Sequence, residues 1–374
     1  MQTEFSNILC VVDISIAKMM DQCLEDLALP EVFVQNAKQM SLVDRQGFLG
    51  LRSGTRLDER RALIYRLYIP SVYEEGMMRR IAEATDLKMG GRGCLLAQHV
   101  EFRRGTPLSF DTEKLDRFCG RAEKLHHEEH ALISCIVPRG MGDSLARAML
   151  ELGICVPVIF FGTGVGLRDK LGLLRITIPV EKEIIWFVVP RSDAELVEKT
   201  IIPRARLDVP GQGFIYKSYV HAPVVNLRSR HGKRTHAATM EQVIAALDEV
   251  HGSSEWRRVE AHRHKSGHES KTVNTYGLFF IGEEEEVELF RRTAMDCGAH
   301  GATHNHLEMR NYTSVSREQA MESHSRELCD IIISHDVAER LKGPLEATGL
   351  FDSKRTCVLK TFSVEMPSGV YHPE

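Results

Sequence analysis

The chain has 374 residues, of which 43% are hydrophobic and 27% are charged, with a formal net charge of −4. At roughly 100–200 residues per domain, this length predicts about two to three domains with packed cores. The nearly balanced charge excludes a strong overall field that would attract nucleic acid or a membrane surface.

The N-terminal region has no basic segment ahead of an apolar run, so we expect no signal peptide. The longest apolar runs, such as residues 184–190, are far shorter than the ~20 residues of a membrane-spanning helix. Nine cysteines occur without a C-x-x-C pair, which is typical of reduced thiols. These features together predict a cytoplasmic protein that does not insert into membranes.

The first third of the chain has the alternating pattern of a small α+β unit. Its predicted elements, in chain order, are strand 8–12, helix 17–27, strand 32–34, a polar excursion over 41–61, strand 62–69, helix 74–84, a glycine-rich turn at 90–93 and strand 94–100. An amphipathic helix is predicted over 111–127, where apolar residues recur at helical spacing.

The middle third repeats this order. Its predicted elements are strand 131–137, helix 141–152 ended by Gly153, strand 156–161, a glycine-rich excursion over 162–172, strand residues 174–178 and 183–189, a helix from 192, a turn at 210–213 and strand 214–220. A polar, histidine-rich connector over 229–271 follows and contains a predicted helix at 240–250.

The last third is the weakest match, with predicted strand 276–281, helix 285–297, strand 328–333, helix 338–348 and strand 357–364. A separation of 120 residues joins Pro70 to Pro190, which both end the third predicted strand of their unit. The same separation joins Gly93 to Gly213, which both close the turn before the last strand. The order predicts an α+β fold of three tandem ferredoxin-like βαββαβ units. Their predicted bounds are 1–105, 129–230 and 272–374, with a helical linker at 106–128 and a polar linker at 231–271.

Four motifs of the middle unit resemble those of the PII nitrogen-regulatory signal-transduction family. They are Ile136-Val-Pro-Arg-Gly-Met-Gly142, Phe161-Gly-Thr-Gly164, Ile178-Pro-Val-Glu-Lys-Glu-Ile184 and Pro210-Gly-Gln-Gly-Phe214. The resemblance covers roughly 90 residues and extends more weakly over the flanking units. It implies three PII-like units arranged as an intrachain pseudo-trimer, with nucleotide in the clefts between units and a long loop that contacts a regulated protein.

The resemblance also implies particular site residues. Nucleotide phosphates would be held by glycine-rich turns before each last strand and by basic residues beyond it: Gly90, Gly91, Arg92, Gly93, Arg103, Arg104, Gly211, Gln212, Gly213, Arg228, Arg230, Lys354 and Arg355. The effector loop would include Gly164, Gly166, Arg168, Asp169 and Lys170. A plain helix-to-strand turn is the alternative interpretation of the glycines.

Two departures from the family concern these turns. The family's loop usually ends in lysine, whereas this chain has Arg92-Gly93 and Gln212-Gly213, and residues 351–355 contain no glycine. We therefore expect three inequivalent clefts. The predicted function is a regulator that senses ATP, ADP or AMP, needs no cofactor and controls an enzyme or transporter, with nitrogen metabolism as the context that the resemblance suggests.

Histidine-rich segments leave alternatives open. Residues 126–130 match H-x-x-E-H. His262, His264 and His268 form one closely spaced group and His304 and His306 form another, and each group could bind a metal ion. We interpret these segments as polar surface, so no metal or catalytic residue is predicted and the protein is not expected to be an enzyme. A metal-binding module and an enzyme acting at an inter-unit cleft remain the rival hypotheses.

Overall fold

The computed structural model describes residues 4–46, 52–120, 129–166, 181–225, 230–231, 247–248, 275–313, 324–367 and 370. Within these ranges the chain forms 13 strands and seven α-helices. The strands are β1 (Phe5–Asp13), β2 (Val32–Gln46), β3 (Arg52–Pro70), β4 (Gly93–Arg104), β5 (Glu129–Pro138), β6 (Val158–Gly166), β7 (Glu181–Pro190), β8 (Phe214–Val224), β9 (Arg230–His231), β10 (Thr275–Gly282), β11 (Gly301–Arg310), β12 (His324–Ser334) and β13 (Val358–Val364). The helices are α1 (Ala17–Leu27), α2 (Glu74–Thr85), α3 (Thr112–Phe118), α4 (Gly142–Leu152), α5 (Ala194–Ala205), α6 (Glu284–Asp296) and α7 (His335–Ala347).

All 13 strands belong to one hydrogen-bonded sheet with the order β13-β10-β12-β11-β6-β7-β5-β8-β4-β1-β3-β2-β9. Its strand pairs are antiparallel except β2 with the two-residue β9, which is parallel. The prediction of a mixed α and β protein is therefore confirmed, and the sheet is antiparallel apart from the pairing with β9.

Three stretches of the chain contribute four main strands each, and we call them the first (4–120), second (129–231) and third (275–370) segments. Their strand orders are β4-β1-β3-β2, β8-β5-β7-β6 and β13-β10-β12-β11. In each segment two long helices contact each other: α1 with α2, α4 with α5, and α6 with α7. The chain order of elements and the spatial order of strands are thus the same in the three segments.

The sheet does not stop where one segment ends. β4 of the first segment pairs with β8 of the second and with β13 of the third, while β2, β6 and β11 pair with one another. These are the edge strands of each segment, and an edge strand carries unpaired N–H and C=O groups that favour pairing. Hydrogen bonding thus joins the segments into a continuous sheet, in contrast to self-contained modules.

Buried side chains form four clusters. Three of them lie under the helix pairs, one in each segment. The fourth draws on all three segments, including Ile64, Trp186 and Phe279, and we call it the shared core. Because the helices cover one face of each segment's strands, the shared core buries the opposite apolar face.

Two predicted features of the first and third segments are wrong. Residues 41–46 and 52–61 are not a polar excursion, because β2 and β3 continue through them as a long hairpin in which Asp44 pairs with Thr55. Met40 and Leu42 of this hairpin are fully buried in the cluster of the second segment, a distant contact that local polarity does not reveal. The prediction also lacked β11, whose sequence is mostly polar and which is stabilised by strands on both sides.

Other elements agree with the prediction more closely. Helix α1 has the predicted bounds, and Gly153 ends α4 in the left-handed conformation with φ 67°. The helix predicted over 111–127 is observed as the shorter α3, and residues 121–128 lie outside the described part. Residues 174–178 and most of 240–250 also lie outside it.

Gly93 is the first residue of β4 and Gly213 directly precedes β8, and both lie at a very close backbone approach. An added Cβ would lie 1.8 Å from the Val11 carbonyl oxygen at Gly93, and 2.0 Å from the Ile136 carbonyl oxygen at Gly213. Their φ angles of +146° and +129° are also unfavourable for other residues. Strand pairing alone therefore requires glycine at both positions, and their role in phosphate binding remains a prediction.

Charged side chains are buried in the shared core. Arg66, Asp330 and Lys360 are 1%, 6% and 2% exposed. Tyr216 donates a hydrogen bond to Asp330 (3.0 Å), Lys360 donates to the Gln98 side-chain oxygen (3.2 Å), and the Arg66 guanidinium lies 5.4 Å from the Trp186 ring centre. Burial raises the pKa of Asp330 to about 7 and lowers the pKa of Lys360 to about 7.

We expect Gly93→Ala to lower the free energy of unfolding by at least about 2 kcal/mol, because the methyl group would collide with backbone atoms of β1. Gly343→Ala is the matched control, since Gly343 lies inside α7 with nothing within 4 Å of an added Cβ. It should stabilise by about 0.5–1 kcal/mol. Urea denaturation measures both, and a neutral Gly93→Ala would contradict the close approach.

Asp330→Asn should leave the free energy of unfolding nearly unchanged at pH 5, where the folded protein keeps Asp330 protonated, and should raise it at pH 8, where the wild type buries an ionised carboxylate. Lys360→Met should be neutral or stabilising, since Met retains the apolar contact with Phe279 and Phe362, whose ring centres lie 4.2 Å from the ammonium. Urea denaturation at pH 5 and at pH 8 tests both substitutions, and destabilisation by Asp330→Asn at pH 8 would contradict the unfavourable burial of its carboxylate.

The same groups predict a pH dependence. Between about pH 4 and 7 the folded protein keeps a proton on Asp330 that the unfolded chain releases, so stability should fall as the pH rises. Between about pH 7 and 10 the unfolded chain binds a proton on Lys360 that the folded protein lacks, so stability should rise again. Denaturation across this range should show the falling limb flattened in Asp330→Asn and the rising limb flattened in Lys360→Met.

Candidate functional sites at the segment junctions

The first and second segments meet where β4 lies beside β8, with Leu95 opposite Val224. A small hollow opens here between the start of β4 and the end of β8. It is lined by Val11, Gln39, Gly93, Cys94, Val156, Val158, Val188 and Val225. The start of β4 therefore faces another segment, but across a surface that is almost wholly apolar.

The first and third segments meet where the end of β4 lies beside the turn that precedes β13. Arg104 pairs with Val358, the Thr106 amide donates to the Arg355 carbonyl (2.8 Å), and the Thr106 hydroxyl donates to the Ser353 carbonyl (2.9 Å). This junction brings together four predicted nucleotide-binding residues that are distant in sequence: Arg103, Arg104, Lys354 and Arg355.

The second and third segments meet along β8 and the residues that follow β13. Lys217 and Glu365 exchange two backbone hydrogen bonds, and the Tyr219 hydroxyl donates to the Glu365 carboxylate (2.9 Å). Lys217 also pairs with Glu198 at 2.8 Å. Val370 packs into the cluster of the second segment. The charges at this junction are mutually compensated.

The basic residues predicted to bind nucleotide differ in side-chain exposure and in the ion pairs they already form. Arg104 is 7% exposed and forms a two-pronged ion pair with Glu31, at 2.9 and 3.0 Å. Arg355 is 52% exposed and lies 3.2 Å from Glu286. Arg103 is 44% exposed, stacks on Phe351 and lies 3.6 Å from Glu346. Lys354 is exposed in the turn.

The turn at 90–93 is stabilised by an ion pair and hydrogen bonds of Arg92. The Arg92 guanidinium lies 3.3 Å from Asp86 and donates to the Thr85 carbonyl (3.2 Å), and the Asp13 amide donates to the Arg92 carbonyl (2.7 Å). Gly90, Gly91, Gly211 and Gln212 lie in the corresponding turns of the first and second segments. Arg228 lies outside the described residues, and Arg230 contributes backbone to β9.

The predicted effector-loop residues lie only partly within the described residues. Gly164 and Gly166 belong to β6, where they pair with Thr303 and Gly301 of β11. Arg168, Asp169 and Lys170 lie outside the described part of the chain. The described end of this predicted loop is therefore sheet at the junction with the third segment.

His304 and His306 lie on β11 and both approach Glu327 of β12, with Nδ1-to-carboxylate distances of 3.8 and 3.7 Å. Burial lowers the pKa of the His304 imidazole. Residues 126–128, His262, His264 and His268 lie outside the described residues. Among the residues that are described, a different group meets the closer spacing expected of metal ligands.

That group is Glu74, His99 and His221, which each offer one ligand atom within 4.8 Å of the other two. Glu74 is the first residue of α2, His99 lies on β4 and His221 lies on β8. Sequence reasoning missed it because its members are up to 147 positions apart and none belongs to a histidine-rich motif. No sequence signal marks it, since the pairing of β4 with β8 alone brings the two histidines together.

None of the helices in the described ranges combines the length and the apolar character needed to cross a membrane.

The two neighbouring arginines at the end of β4 should behave differently on substitution. Arg104→Met leaves the carboxylate of Glu31, 15% exposed, without its partner and should cost about 2–4 kcal/mol of unfolding free energy. Arg103→Met should change it by less than about 0.5 kcal/mol, since its ion pair is solvated. Urea denaturation of both variants tests this, and equal effects would contradict a structural role that is specific to Arg104.

No protein-family model matches the chain, and no curated protein sequence matches it.

Proposed function

We propose that this chain is a PII-like regulator in which three ferredoxin-like units, within residues 1–105, 129–230 and 272–374, form a covalent pseudo-trimer. The observation that carries the proposal is the position of the last strands at two junctions. The start of β4, at Gly93, shares a hollow with Val225 just after β8, and the turn before β13 is hydrogen-bonded to Thr106 just after β4. In the family that the sequence resembles, nucleotide binds between such a turn and a neighbouring unit's last strand.

The strand order supports the same assignment. A βαββαβ chain with its two helices on one face of a sheet ordered fourth-first-third-second is ferredoxin-like. Each segment has this order and one pair of contacting helices. The shared core gives the three sheets a common interior, as expected if the units are packed around one axis.

The first–third junction is the best candidate for an anionic effector. Arg103 and Lys354 present cationic groups at the surface there, and Arg355 lies beside them with half of its side chain exposed. Guanidinium and ammonium groups bind phosphate through charge-assisted hydrogen bonds. The choice of an adenine nucleotide as the effector rests on the family resemblance.

We further propose that the protein acts in the cytoplasm by controlling an enzyme or transporter, without catalysing a reaction itself. In chain order, the residues after β2 and the residues after β6 each follow the second strand of their segment, which is the position of the signalling loop in the family. Fold analogy is a weaker guide to function than site chemistry, so the partner and the link to nitrogen metabolism rest on the resemblance.

Calorimetric titration of the full chain with ATP, ADP and AMP tests the proposal. We expect at least one nucleotide to bind, and the double variant Arg103→Ala/Lys354→Ala to weaken its binding at least about tenfold, because two charge-assisted hydrogen bonds are lost.

The matched control is Arg147→Ala/Lys199→Ala, which removes two exposed cations from α4 and α5 of the second segment. Its affinity for nucleotide should equal that of the wild type. Absence of binding heat with all three nucleotides, or equal weakening in both double variants, would reject this junction as the effector site.

A further inference from the structure

The junction of the first and second segments holds two imidazoles and a carboxylate that face one another. His99 and His221 lie on the adjacent strands β4 and β8, where Ala97 is paired with His221. Their rings are 5.5 Å apart and nearly perpendicular. Glu74 approaches both histidines from the first turn of α2, so three separate elements converge on this position.

The distances suit a small cation. Nδ1 of His221 lies 3.4 Å from one carboxylate oxygen of Glu74, and Nδ1 of His99 lies 3.8 Å from the other. A tetrahedral zinc ion with bonds of about 2.0–2.1 Å separates its ligand atoms by about 3.3–3.4 Å. Small rotations of the side chains, and of the exposed His99 in particular, would close the remaining difference.

The residues around Glu74 orient its carboxylate as a metal ligand. Glu74 is 5% exposed, and its carboxylate faces both the Ser6 hydroxyl and the His221 ring. The Ser6 hydroxyl donates to one oxygen of Glu74, which is the kind of supporting contact that orients metal ligands. The position at the N-terminus of α2 also favours a negative charge.

The opposite side of the group is open to solvent. The side chain of His99 is 60% exposed and that of His221 is 40% exposed. A metal held by the three side chains would thus retain a coordination position for water or an external ligand. Two imidazoles with one carboxylate suit zinc and neighbouring divalent transition metals better than calcium or magnesium, which prefer oxygen ligands alone.

We propose that Glu74, His99 and His221 form a site for a divalent transition-metal ion, with zinc as the probe ion, which links the first segment to the second. The ion would connect α2, β4 and β8 across the junction. The site is independent of nucleotide binding, because it uses none of the basic residues at the first–third junction. The competing explanation is an ion pair between Glu74 and a protonated His221 that binds no metal.

The test uses the full chain stripped of metal with a chelator and titrated with zinc by calorimetry. We expect the wild type to bind one more equivalent than His99→Ala or Glu74→Gln, since histidines elsewhere would contribute equally to all three proteins. His324→Ala, which removes another exposed histidine, is the control and should retain the full stoichiometry. Cobalt should give the visible absorption of a tetrahedral site in the wild type and in the control only.

Thermal unfolding gives a second measurement that does not depend on stoichiometry. Zinc should raise the Tm of the wild type and of His324→Ala but not that of His99→Ala, because an ion that binds the folded state stabilises it. His99 is exposed, so its substitution should leave the apo protein folded, which circular dichroism checks. Zinc stoichiometry and Tm shift that are the same in His99→Ala as in the wild type would overturn the proposal and leave the ion pair as the explanation.

Discussion

The structure depends on the burial of three apolar sheet faces against one another. In each segment a pair of helices covers one face of the strands and leaves the other face, which includes Ile64, Trp186 and Phe279, without cover of its own. A sheet face of this kind must pack against another layer to be stable in water. The shared core supplies that layer, and the edge strands then meet and complete one another's hydrogen bonds. Both kinds of candidate site lie at junctions that this packing creates.

Linking the segments in one chain allows the junctions to differ, whereas a symmetric homotrimer must repeat the same interface. The first–second junction has an apolar hollow at the start of β4 and, farther along β4 and β8, the group of Glu74, His99 and His221. The first–third junction presents exposed cations, and the second–third junction compensates Lys217 with Glu198 and Glu365. One chain can therefore hold different ligands at positions that are equivalent in topology.

The buried charges of the shared core lower the stability of the fold. Arg66 lies over the Trp186 ring, but its guanidinium has no hydrogen-bond partner among the described residues. Asp330 and Lys360 come from the third segment and meet Arg66 of the first and Tyr216 of the second. The free energy of desolvating buried charges exceeds their mutual attraction unless every group is paired.

The sequence by itself determined the local elements: the periodic apolar positions of α1, the glycine that ends α4, and the alternation of helices and strands in an antiparallel α and β chain. These follow from backbone and side-chain preferences that act over a few residues.

The tertiary structure decided what depends on distant partners. Met40 and Leu42 make the hairpin of β2 and β3 a strand pair because the second segment buries them. Arg104 was predicted to meet a ligand but is paired with Glu31, and His99 meets His221 only because β4 pairs with β8. Contacts between segments are set by the register of edge strands, which no local pattern in the sequence encodes.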